Sequence, residues 1–95
     1  MHLSDDTIIR RSPNMIAADV QEQVVLMGVQ QGEYYSLNST GSAIWHAIGE
    51  PRSFRAVRAV LEDSFDAPAD VIGAQAHSLI LELAETGIVE LDSAR

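Results

Sequence analysis

His2, His46 and His77 are the three histidines of this 95-residue chain, and any metal or acid–base chemistry would start from them. Their spacing supports neither. A helical metal pair needs two histidines one turn apart, at i and i+4, and these three are scattered. The chain has no cysteine, so it offers no thiolate ligand, no cysteine nucleophile and no disulfide framework. Ser42 follows Gly41, but the Gly-x-Ser-x-Gly elbow of a serine hydrolase is missing, and so is a glycine-rich phosphate loop. No nucleophile, base and orienting group can be assembled from these residues. The expectation is a protein with no catalytic residues, no metal and no cofactor. What remains is recognition. Residues 32–45 read GEYYSLNSTGSAIW and hold three of the five aromatic residues. Tyr34 and Tyr35 are adjacent, so a strand must point one ring away from the core. An outward ring asks for a partner.

The elements around those tyrosines follow from local pattern. Two β-like runs, Met15–Val20 and residues 23–29, flank a turn at Gln21-Glu22. Alternation places Val25, Met27 and Val29 on one face and Val24 and Leu26 on the other. Gln30-Gln31-Gly32 is a second turn. The third strand spans 33–37, which gives a three-stranded antiparallel meander. Asn38, Ser39 and Thr40 are capping residues for a helix that carries Ile44, Trp45 and Ile48 to Gly49. Trp45 is expected in the core. Ser53 caps a second helix through Phe54, Val57, Val60 and Leu61. A third runs from about Ala69 to Thr86, with Gly87 at its end. Residues 88–91 are apolar and extended. Three strands followed by three helices predict an α+β fold. The first dozen residues are polar and carry Arg10-Arg11; a disordered segment over 1–12 and an ordered one are both left open by the sequence.

The third helix is apolar over more than one stripe. At about 100° per residue, Ile72, Ala76, Leu79 and Leu83 lie within about 40° of a common centre. Ala74, His77, Leu81 and Ala84 form a second arc roughly 140° away, with Ile80 between them. Gln75, Ser78, Glu82, Glu85 and Thr86 fill a solvated remainder. The second arc is either covered by neighbouring elements or forms the wall of a groove. The strand at 33–37 offers an open edge, and an edge beside a groove suits capture of a peptide by strand addition.

The pattern Tyr35-x-Leu37-Asn38-x-Thr40-Gly41-x-x-Ile44-Trp45, with the Gly87-Ile88-Val89 ending, resembles the PqqD-like family. These are small elements that bind the leader peptides of ribosomally made, modified peptides. The resemblance spans residues 6–91. Gly32-x-Tyr34-Tyr35 ahead of Leu37-Asn38 is most similar to stand-alone members of lasso-peptide pathways. The pyrroloquinoline quinone member carries a Pro-Glu strand there, which this chain lacks. The resemblance implies a winged-helix-like fold over residues 13–91, with the leader added as a strand beside 33–37 and pressed against the third helix. It implies peptide contacts at Glu33, Tyr34, Tyr35, Ser36 and Leu37, and at Ala74, His77, Leu81 and Ala84. It further implies a partner enzyme, in lasso systems a leader peptidase. A peptide chaperone for the quinone or a radical-SAM-modified peptide is the alternative.

Charge argues against other classes. The net charge is −8, with no lysine, and that field repels nucleic acid. A DNA-reading winged helix needs Arg or Lys on its recognition helix, and the third helix has neither. Arg52, Arg55 and Arg58 form a basic stripe that either pairs with Glu62 and Asp66 or docks an acidic partner. No apolar run is long enough to span a membrane, and residues 1–6 lack the basic and apolar regions of a signal peptide. The expected location is the cytoplasm. The open edge also makes a weak homodimer an expectation.

Overall fold

The structure, a computed structural model, describes residues 3–21, 23–30 and 32–92. Its elements in chain order are β1 (Ile8–Arg11), β2 (Met15–Val20), β3 (Gln23–Gly28), β4 (Tyr34–Ser36), α1 (Ser39–Ala47), β5 (Arg52–Ser53), α2 (Phe54–Ser64), α3 (Ala69–Thr86) and β6 (Val89–Asp92). The α+β fold and its three-stranded meander are present: β2, β3 and β4 form one antiparallel sheet in that order. Gln21, in the turn between β2 and β3, has φ +50°, the left-handed conformation a tight hairpin turn requires. Along β3 the alternation holds. Val24 and Leu26 are buried while Val25 and Met27 face outward.

The three helices begin and end where their sequence signals stand. Asn38 accepts a hydrogen bond from the Gly41 N–H at 2.8 Å, and Ser53 accepts one from Ala56 at 3.2 Å. Each satisfies an otherwise orphaned donor of a first helical turn. Ser39 and Thr40 are the first residues of α1 and do not cap it. Gly87 closes α3 with φ +88°, a conformation that costs a residue with Cβ. Ile44, Ile48, Val57, Leu61 and Ile80 are almost wholly buried, and Trp45 joins them at 4% exposure. Each such aliphatic side chain contributes roughly 1.5–3 kcal/mol through its removal from water.

The chain also forms a second sheet, in the order β5–β1–β6. The described part of the N-terminal dozen residues thus supplies a strand, β1, to this sheet; His2 lies outside the described residues. Ile9 is fully buried. Arg10, which reads as part of a polar tail, pairs with Glu90 at 3.0 Å and Asp92 at 2.6 Å on β6. Arg11 donates to the Trp45 carbonyl at 2.8 Å and stacks over the indole, 4.6 Å from its centre. All these partners are distant in sequence, so no local pattern announces the strand. The same sheet absorbs residues 88–91, whose extended stretch pairs with β1 from Arg11 opposite Val89 to Ile8 opposite Asp92.

The basic stripe of α2 is largely taken up within the molecule. Arg58 holds Asp5 at 2.8 Å and approaches Glu62 at 3.8 Å, and Arg55 reaches Asp5 and Asp6 at 3.6 and 3.9 Å. Asp66 takes no part in an ion pair among the described residues. The Arg58 hydrogen bond holds the Asp5 carboxyl below its ordinary value of 3.8; partial burial opposes this, and the charges of Arg58 and Arg55 add to it.

Candidate functional site

β4 is three residues long and pairs only with β3 among the described residues. Its orientation follows from the ladder. Tyr35 stands opposite Leu26, the Glu33 carbonyl accepts from Gly28 N–H, and Leu37 N–H donates to the Val24 carbonyl. In an antiparallel pair, backbone groups of alternate residues point to the partner and the others point away. Residues 33, 35 and 37 are therefore committed to β3, and Tyr34 and Ser36 present their N–H and C=O groups to the open edge.

The Leu37-Asn38-x-Thr40-Gly41-Ser42 segment fixes that strand to α1. Asn38 caps the helix. A Cβ on Gly41 would lie 3.3 Å from both Asn38 Oδ1 and Leu37 Cβ, so only glycine lets helix and strand approach this closely without a shift. Ser42 is buried, and its hydroxyl accepts from Val24 N–H at 3.0 Å and donates to the Leu37 carbonyl at 3.2 Å. One side chain thereby ties β3, β4 and α1 together.

A groove of about 610 Å³ runs between β4 and α3. It is lined by Tyr34, Tyr35, Ser36, Leu37, Asn38 and Gly41 on one side and by Leu79, Glu82, Leu83, Glu85, Thr86 and Ile88 on the other. It shares Asn38, Leu79 and Glu82 with a second depression of about 560 Å³, which adds Thr40, Ala74, Gln75 and Ser78. Leu83 and Ile88 form an apolar floor, and Leu79 is half-buried against the core. Tyr34 is 72% exposed and lies on the outer face of the sheet, in one cross-strand row with Met27 and Ile16. Tyr35 points the other way, packs against the core and donates its hydroxyl to Glu33 at 3.1 Å. That hydrogen bond, with burial and the carboxylate charge as smaller causes, raises the phenol above its ordinary 10.0.

The structure thus gathers Tyr34, Tyr35, Ser36 and Leu37 in one groove, with Glu33 bonded to Tyr35 and Ala74 in the adjoining depression. It does not bring His77, Leu81 and Ala84 there. His77 accepts a hydrogen bond from Leu3 N–H at 3.2 Å and meets the Phe54 ring edge-on, 6.0 Å between centres. Leu81 and Ala84 pack against the core, and Ala84 faces a separate depression beside Val89 and Leu91. Within the second apolar arc of α3, His77, Leu81 and Ala84 are half-buried, His77 against Leu3 and Phe54 and the other two against the core, while Ala74 is exposed. The groove wall is instead the border between the first apolar arc and the arc of Gln75, Ser78, Glu82, Glu85 and Thr86. A wall that is dry below and wet above must lie on such a border, and that border was the legible signal.

The α3 face in this groove carries carboxylates and no cation, which is the wrong sign for a nucleic-acid backbone. Among the described residues no three His, Asp or Glu gather as metal ligands. No described helix is long and apolar enough to cross a membrane.

A family model described as coenzyme PQQ synthesis protein D (PqqD) matches residues 23–89. No curated protein matches the chain. Two solved structures share its fold. TbiB1 in complex with the TbiA(beta) leader peptide superposes with a TM-score of 0.78 at 21% identity, over 85% of this chain and 94% of its own. Lasso peptide synthetase B1 complexed with the leader peptide superposes with a TM-score of 0.73 at 24% identity, over 86% and 96%. At these identities the likeness establishes the fold.

Proposed function

This chain belongs to the PqqD family, and from that premise we propose that it captures the leader segment of a ribosomally made precursor peptide and holds it for a modifying or processing enzyme. The observation that carries this reading is the open edge of β4 above an apolar-floored groove. The outward N–H and C=O groups of Tyr34 and Ser36 supply a ladder for one added strand, and the groove reads its alternate side chains. Leader peptides occupy both proteins of similar fold, which supports a peptide as the occupant here. A lasso leader peptidase is the enzyme most in keeping with those neighbours. The role makes and breaks no bond; its effect is to raise the local concentration of substrate at the enzyme.

The test searches the genomic neighbourhood for a short precursor gene and titrates its labelled leader with the protein by fluorescence anisotropy, with a scrambled leader as control. Saturable binding of the true leader alone is expected, in the micromolar range or tighter, because a short strand that orders on binding leaves a modest surplus of free energy. No binding up to about 100 μM, where weak peptide interfaces still register, overturns the reading.

A further inference from the structure

The groove beside β4 is charged with one sign. Glu82 and Glu85 stand on its α3 wall, and Glu33 is bonded to Tyr35 in the opposite wall. Neither Glu82 nor Glu85 has an ion-pair partner among the described residues. No arginine lines the groove, and the chain has no lysine. Arg10 is engaged by β6, Arg11 by Trp45, and Arg55 and Arg58 by the N-terminal acids.

Exposed carboxylates are comfortable in water. A peptide laid over them removes part of that water, and an apolar or acidic occupant leaves the negative charge uncompensated. An occupant with a cation compensates it, at closer range and lower dielectric than on an open surface. The span from Leu79 to Thr86 is about 10 Å at the rise of a helix, the length of roughly three residues of extended chain. Two side chains of such a segment, at i and i+2, face α3.

Building on the peptide-recognition reading above, we propose that the groove selects a peptide whose bound segment pairs an apolar residue over Leu79 and Leu83 with an Arg or Lys, two residues away, against Glu82 and Glu85. These two glutamates are then specificity determinants of the strand-addition site.

The test pans a phage-displayed library of random peptides against three immobilised full-length proteins: the wild type, Glu82→Lys/Glu85→Lys, and Glu50→Lys/Asp63→Lys. The last pair makes the same change in net charge at residues that line neither depression, and circular dichroism checks that all three are folded. Expected are peptides with an apolar-x-basic or basic-x-apolar pattern from the wild type and the control. The groove variant should lose that preference and bind a wild-type-selected peptide about tenfold more weakly, the effect of one or two local charge contacts. Binding should return when the peptide's basic residue is exchanged for Glu. Enrichment without a basic bias, or a bias lost equally in the control, overturns the charge selection and leaves peptide recognition standing. No enrichment by the wild type overturns both.

Discussion

Ser36 sends its backbone N–H away from β3, so this donor is available to an added strand while the ladder bonds of residues 33, 35 and 37 to β3 stay intact. A Ser36→Pro variant removes that donor. It should bind leader at least about tenfold more weakly, the value of one backbone hydrogen bond in a shielded site, while its far-UV circular dichroism is unchanged. Tyr34→Ala should cost about 1–3 kcal/mol of binding if the exposed ring packs on the peptide, as read by the same titration. His77→Ala should do the reverse. It leaves Leu3 N–H without its acceptor, lowering stability by about 1–3 kcal/mol in urea unfolding, with leader affinity unchanged. At this scale the tyrosine strand was legible, because three aromatic residues in one short stretch are hard to bury together. His77 was not, since its partner Leu3 lies at the far end of the chain and leaves no mark on helical spacing.

Gly87 ends α3 in the left-handed region with open space where a Cβ would point. The cost of Gly87→Ala is therefore conformational and not steric, about 1–2 kcal/mol. In a domain of this size that lowers the melting temperature by several degrees in a thermal scan. The helices were legible because Asn38, Ser53 and Gly87 punctuate them with chemistry that acts within a few residues. The meander was legible because short turns join sequential strands. β1 and β5 were not. A two-residue strand such as Arg52–Ser53 has no periodicity to detect, and Ile8–Arg11 becomes a strand only through Glu90, Asp92 and Trp45. The open choice on α3 has a similar origin: an apolar arc does not say what lies against it, and the N-terminal segment whose Leu3 meets His77 leaves no local mark.

At the scale of the whole molecule, the N-terminal residues act as a strap, with Leu3 on α3, Asp5 on α2 and β1 between β5 and β6. Deleting residues 1–11 removes the central strand of that sheet and should abolish cooperative thermal unfolding. The Asp5–Arg58 tie also sets a pH dependence. A carboxyl with a depressed folded pKa stabilises the fold above its ordinary value and ceases to do so as pH falls through the depressed one. Urea midpoints of wild type and Asp5→Asn should differ most above about pH 4 and converge in stronger acid. The meander sheet, finally, has two open sides. β2 carries exposed Ile16 and Val20 on one flank, and β4 is the other. No proline or lysine guards either strand. Because the two flanks differ, joining β2 of one copy to β4 of the next does not close a ring of two and can propagate into a fibre. A concentrated, ligand-free stock should then scatter more light with time, and a peptide seated on β4 would act as a chain terminator that keeps the stock clear.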